Sequence, residues 1–256
     1  MDRIATAFAH VGKRAALMPY LMGGHPDVET SRACLDAAVD AGADLIELGI
    51  PFSDPLADGP VIHAAGTKAL EAGVKPADVL ALCEQAAARL PVVFMVYANL
   101  VLAHGGEAFV ARARDAGASG LIVPDLPHDE AAGVRAACDA AGLALVPLVA
   151  PTTPADRLNA IGADARGFVY AVSLTGTTGE RDEVPPGLPE LVERVRGATE
   201  LPVAVGFGIS TEEQARRVGE LADGVIVGSR VVRAADEHGA DGVRDVVSSL
   251  AAALAL

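Results

Sequence analysis

The chain has 256 residues, 51% of them apolar, and a formal net charge of −14. That charge excludes a nucleic-acid binder, which needs clustered Lys and Arg to meet phosphates. No run of about 18 apolar residues is available to span a bilayer, and Met1–His10 lacks the apolar centre of a signal peptide, so the expected location is cytoplasmic. A small phosphorylated ligand stays open, because backbone N–H groups at a helix start bind phosphate without any basic residue.

Short apolar strands alternate with amphipathic helices along the whole chain, with no linker or low-complexity tract between them. Strands are predicted at about 17–22, 44–49, 92–97, 120–124, 144–149, 168–172, 202–206 and 224–227. Their near-continuous apolar character, as in Val92-Val93-Phe94-Met95-Val96, suits parallel strands covered on both faces. Helices are predicted at about 28–40, 62–72, 76–89, 106–116, 129–141, 154–162, 188–197 and 211–220. Asp27, Asp129 and Ser210 are candidate N-caps, and Gly42, Gly117 and Gly142 follow helices. Eight such units make an α/β protein, a (β/α)8 TIM barrel filling 1–256 as one domain. A leading helix (2–13) and a tail (241–255) are extra, the tail covering apolar barrel surface. An open doubly wound sheet is the alternative, and no GxGxxG fingerprint supports it.

One stretch, Glu47 to Pro60, carries the chemistry: Glu-Leu-Gly-Ile-Pro-Phe-Ser-Asp-Pro-Leu-Ala-Asp-Gly-Pro. Glu47 sits inside a strand that should be buried, where desolvation raises a carboxyl pKa. Asp58 follows on a Pro- and Gly-rich loop. Two carboxylates in different environments suit general acid and base roles. In a barrel both belong at the C-terminal end of the strands, with Tyr170 in strand 6. Gly206-Phe207-Gly208-Ile209-Ser210 and Gly228-Ser229 follow the last two strands, where barrels bind phosphate. The stretch after strand 6, with Gly176-Thr177-Thr178-Gly179, is long enough for a lid. Cys34, Cys83 and Cys138 lie in helical patterns without CxxC spacing, and none of the six His has metal-ligand spacing. Buried reduced thiols and no metal are expected. His63 stands beside the Asp58 loop.

With Met18-Pro19-Tyr20, Tyr97-Ala98-Asn99-Leu100, Pro124-Asp125-Leu126-Pro127 and Thr178-Gly179 at matching spacing, the sequence resembles the tryptophan synthase alpha subunit along its length. That resemblance implies a lyase cleaving indole-3-glycerol phosphate to indole and glyceraldehyde 3-phosphate without a cofactor. It implies Glu47 as acid and base and Asp58 as the second catalytic carboxylate. Tyr20, Ile62, Met95, Leu126, Tyr170, Thr178 and Phe207 should line the substrate site. Gly179, Gly208, Gly228 and Ser229 should meet the phosphate. Pro51, Asp54 and Asn99 should face a beta subunit in an alpha2-beta2 heterotetramer. The alternative is a free-standing lyase that releases indole. His25 and Leu174 depart from the family's usual residues.

Overall fold

The computed structural model of the chain describes residues 3–9, 12–103, 105–172, 187–206 and 208–256. Among the described residues nine parallel strands form one sheet: β1 (Ala16–Met22), β2 (Ile46–Gly49), β3 (Val92–Met95), β4 (Gly120–Ile122), β5 (Ala144–Val146), β6 (Leu148–Val149), β7 (Val169–Val172), β8 (Val203–Gly206) and β9 (Gly224–Val227). Their order runs from β5 through β4, β3, β2, β1, β9, β8 and β7 to β6. β5 and β6 are consecutive in the chain, so the sheet closes on itself as a (β/α)8 barrel. The strand predicted at 144–149 is this single stave, interrupted at Pro147. Proline has no N–H to give the ladder, but its carbonyl still accepts the Tyr170 N–H at 3.0 Å.

The strands are apolar on both faces because each face is covered. Outward residues such as Leu48, Phe94, Leu121 and Val205 pack under the helices. Inward residues Met18, Leu45, Val93, Ile122, Val146, Phe168, Ala204 and Ile226 fill the barrel interior. The leading helix, Arg3–Ala9, closes the floor. Ile4 is fully buried in that interior, and the Phe8 ring leans on Phe168 with centroids 5.8 Å apart. Arg3 ties the plug down by donating to the carbonyls of Ala87, Leu90 and Gly117.

The tail is one end of a longer element, Ser229–Ala253, that breaks at Gly239 (φ 58°, ψ −142°). Its second part buries Val243, Val247 and Leu250, and the Leu254 carbonyl takes the Arg14 N–H at 2.9 Å. Asp27 caps its helix as expected, accepting the Thr30 N–H at 2.8 Å. Two cap positions differ. Thr211, not Ser210, caps Glu212–Gly219, in a reciprocal box with Gln214. Asp129 lies within a short 3-10 turn, His128–Glu130, ahead of the helix Ala132–Ala141. The short helix Ala98–Leu102 was not expected, since five residues carry too little periodicity to read. The three cysteines are free and buried.

Candidate active site

Two residues beyond each interior residue, the same strands build a cavity. Tyr20, Glu47, Met95, Pro124, Leu148, Tyr170 and Gly228 line it, each two positions after Met18, Leu45, Val93, Ile122, Val146, Phe168 and Ile226. The pleat returns a side chain to the same face every second residue, so the functional layer lies directly above the packed one. Ala57, Asp58, Ile62, Gly208, Ile209 and Ser229 complete the wall from the loops.

Glu47 points inward from β2 and is 1% exposed. Among the described residues its Oε2 has no hydrogen-bond partner. An unpaired carboxylate is costly there, so the side chain holds its proton: burial, then the nearby Asp58 charge, raise its pKa from 4.5 to about 8. Asp58 stands on the loop between β2 and the helix Pro60–Glu71. Burial lifts it to about 6, against a bond from the Tyr97 hydroxyl and the field of His63. Near pH 7 the cavity thus holds one carboxylic acid and one carboxylate.

Tyr20 and Tyr170 flank Glu47, and burial keeps both hydroxyls protonated. Each rests over a strand-end glycine. A Cβ on Gly49 would stand 2.1 Å from the Tyr20 hydroxyl oxygen, and one on Gly206 would stand 2.1 Å from that of Tyr170. Only a residue without a side chain fits under either ring.

At the opposite end, Gly228 and Ser229 open the helix Ser229–Ala253, and Gly208 turns toward them at φ +79°. No Lys or Arg is among the described lining residues. Arg230 is turned away, donating to the Ser210 carbonyl and to Glu212 at 2.8 Å each. An anion here would be held by backbone N–H groups at the helix start.

Of the residues expected from sequence, Glu47, Asp58, Tyr20, Ile62, Met95, Tyr170, Gly208, Gly228 and Ser229 share this cavity. Leu126 is not among the described lining residues. Its N–H closes a turn onto the Val123 carbonyl at 3.2 Å, and it lines a neighbouring groove with His128 and Arg135, while Pro124 lines both. Thr178, Gly179, Phe207 and Leu174 lie outside the described residues. Asp54 and Asn99 are exposed on the rim, and Pro51 is buried at the base of its loop. Gly49, Leu148 and Tyr97 carry no site signal in the sequence; the close fit of Gly49 under Tyr20 and the hydrogen bonds of Tyr97 appear only once the strands are neighbours.

The chain matches the family model described as Tryptophan synthase alpha chain over residues 7–254. It is 47% identical over 259 residues to the tryptophan synthase alpha chain of Synechococcus elongatus, covering 99% of this chain and 97% of that one. It is 49% identical over 244 residues to that of Carboxydothermus hydrogenoformans, covering 93% and 91%. A solved structure of Mycobacterium tuberculosis tryptophan synthase superposes with a TM-score of 0.93 at 42% identity, covering 100% of this chain and 99% of that chain. The alpha subunit from Legionella pneumophila superposes at 0.89 with 36% identity, covering 99% and 98%. With its barrel, its paired carboxylates and this agreement over nearly its full length, the chain belongs to the tryptophan synthase alpha chain family.

Proposed function

We propose that Glu47 and Asp58 carry out the family's lyase reaction on indole-3-glycerol phosphate, within a single barrel domain over 1–256. The observation that supports this most is the split between two carboxyl groups in one cavity, one holding its proton near pH 7 and the other ionised. Cleavage requires the indole ring to become a leaving group. Glu47 delivers its proton to ring carbon C3, and Asp58 accepts a hydrogen bond from the ring N–H as positive charge develops there. Glu47, now ionised, takes the proton of the hydroxyl next to C3. The C–C bond then breaks, its electrons return to the ring, and the hydroxyl carbon becomes the aldehyde. Indole and glyceraldehyde 3-phosphate leave, and Glu47 is again protonated. Tyr20, Ile62, Met95 and Tyr170 supply the apolar walls for the ring. Gly208, Gly228 and Ser229 receive the phosphate, with Thr178, Gly179 and Phe207 expected to join them.

A beta-subunit partner comes with the family, and we place it on the C-terminal rim in an alpha2-beta2 assembly, in the cytoplasm. Leu56 is 85% exposed on the loop after β2 that carries Asp54, and Leu102 is 54% exposed on the short helix Ala98–Leu102 after β3 that carries Asn99. Exposed leucines beside polar residues are the composition of a docking rim. No helix among the described residues is long and apolar enough to cross a membrane.

The direct test is indole release from indole-3-glycerol phosphate, with and without a cognate beta subunit. Turnover should rise about tenfold or more on docking, as expected if closure is seldom populated alone, and residues 53–60 should gain protection from hydrogen exchange. Lack of indole release in both conditions would refute the lyase reading. Release unaltered by a bound beta subunit would leave a free-standing lyase. Gly228→Asp should weaken glycerol phosphate binding, because a carboxylate would meet the dianion; an unchanged Kd would move the phosphate elsewhere.

A further inference from the structure

Asp58 lies on a loop, yet its acceptor must face a ring N–H to within a fraction of an ångström to be useful. The loop's own hydrogen bonds are short-range: Leu56 N–H to the Asp54 carbonyl at 3.0 Å and Asp58 N–H to the Pro55 carbonyl at 3.2 Å. A residue from the next strand grips it from outside. Tyr97, buried just past the end of β3, accepts the Ala57 N–H at 3.1 Å and donates to Asp58 Oδ1 at 3.0 Å through one hydroxyl. Its ring stacks on Phe52 of the same loop, centroids 5.2 Å apart and planes 26° from parallel. The grip is itself anchored on the far side, where Asp125 of the loop after β4 accepts the Ala98 N–H at 2.8 Å.

We propose that Tyr97 is a positioning residue that fixes Asp58 for the reaction by occupying Oδ1 and leaving Oδ2 to accept the substrate's ring N–H. The inference rests on the reading of Asp58 as the second catalytic carboxylate. Among the described residues Oδ2 accepts no hydrogen bond. Tyr97 stays a donor here, because burial first and the Asp58 charge second hold its hydroxyl protonated. Its bond also stabilises the ionised form of Asp58, opposing burial. The groups facing Asp58 are Glu47 from β2, Tyr97 after β3, Tyr20 from β1 and His63 from the helix Pro60–Glu71. Of these, only Tyr97 has a hydrogen bond to the carboxylate among the described residues.

Tyr97→Phe is the informative change, since it keeps the stack on Phe52 and deletes only the hydroxyl. In the full chain assayed on indole-3-glycerol phosphate, kcat should fall about tenfold or more, the usual scale for losing one hydrogen bond to a charged group. Glycerol phosphate affinity and melting temperature should stay near those of the parent. The acidic limb of the kcat–pH profile should move to higher pH, because the carboxylate loses a donor that favours its ionised form. In an Asp58→Asn background the same change should add no further loss in kcat. Unchanged kcat and pH profile in Tyr97→Phe, with Asp58→Asn inactive, would overturn the role of Tyr97 alone. Full activity in Asp58→Asn would instead overturn the reading of Asp58. An equal loss from Tyr97→Phe in both backgrounds would assign Tyr97 a structural effect unconnected with Asp58.

Discussion

The two layers inside this barrel differ by two residues per strand and by almost everything else. The lower layer (Met18, Leu45, Val93, Ile122, Val146, Phe168, Ile226) is apolar, buried and sealed below by Ile4 and Phe8. The upper layer (Tyr20, Glu47, Met95, Pro124, Leu148, Tyr170, Gly228) holds a protonated acid, one oxygen of which has no partner among the described residues, and rings seated on bare glycines. Interiors gain stability from close packing and complete hydrogen bonding. The upper layer forgoes both to keep room for a ligand and a proton on Glu47. A single inward-facing periodicity thus divides into a part that holds the fold and a part that works at the fold's expense.

The largest effect should come from changing one layer without the other. Glu47→Gln keeps the side chain's shape and removes its proton chemistry, so kcat should drop on the order of 10²–10⁴-fold while the circular dichroism and ligand affinity survive. Asp58→Asn should also lose kcat severely; a loss confined to affinity would make it a binding residue. Two residues below Glu47, Leu45→Ala should do the reverse. It should cost about 2–5 kcal/mol of stability, read by denaturant unfolding, with kcat per folded molecule retained. If Leu45→Ala were instead inactive and stable, the two layers would not be separable.

A stability measurement on Glu47→Gln gives the next contrast. The unfolded carboxyl titrates near 4.5 and the folded one near 8. Between those values the folded chain binds a proton that the unfolded chain has lost. Wild-type stability should therefore fall with rising pH across this window, by about 1.4 kcal/mol per pH unit from this one group. The Gln variant lacks that slope, so its advantage in Tm should grow from about pH 5 to about pH 8. Parallel Tm–pH curves would mean that Glu47 is not held protonated by the fold. The same pair of groups sets the rate profile. In the proposed mechanism Asp58 acts ionised and Glu47 protonated, so kcat should be highest between about 6 and about 8 and decline on both sides.

Much of this division is legible in the sequence, because periodicity and loop composition report local physics. The eight staves follow from apolar runs, and the paired carboxylates from a Glu within a strand and an Asp in a Gly/Pro loop. Pro147 is visible as a proline, but its consequence, a stave split into β5 and β6 with the barrel still closed, depends on the neighbouring Tyr170 N–H. Leu126 is expected at the substrate only through the family resemblance that the Pro124–Pro127 motif helps to carry. A turn after β4 places Leu126 in the neighbouring groove, and turn direction is not encoded in alternation. Tyr97 and Gly49 gain their meaning from residues 39 and 29 positions away, Asp58 and Tyr20 respectively. Such pairings exist only after the strands are placed side by side.

The smallest predicted effects separate glycines that seat a ring from one that merely opens space. At Gly49 and Gly206 an added methyl would collide with a buried tyrosine whose ring fills the wall and cannot retreat without moving the cavity. At Gly228 the nearest atoms to an added Cβ are Ile62 Cδ1 at 3.4 Å and Tyr20 Cβ at 3.7 Å, ordinary contacts that need no rearrangement. Gly206→Ala and Gly49→Ala should therefore each lower kcat about tenfold by displacing Tyr170 or Tyr20, since misplacing a site group by an ångström is felt in the rate. Both should also lower Tm, whereas Gly228→Ala should leave Tm unchanged and raise only the Kd for glycerol phosphate. Pairing Gly49→Ala with Tyr20→Leu should recover the Tm, because the smaller side chain vacates the position the methyl needs. If the double variant were no more stable than Gly49→Ala alone, the clash would lie with the backbone rather than the ring, and Gly49 would belong with the packed lower layer instead of the working one.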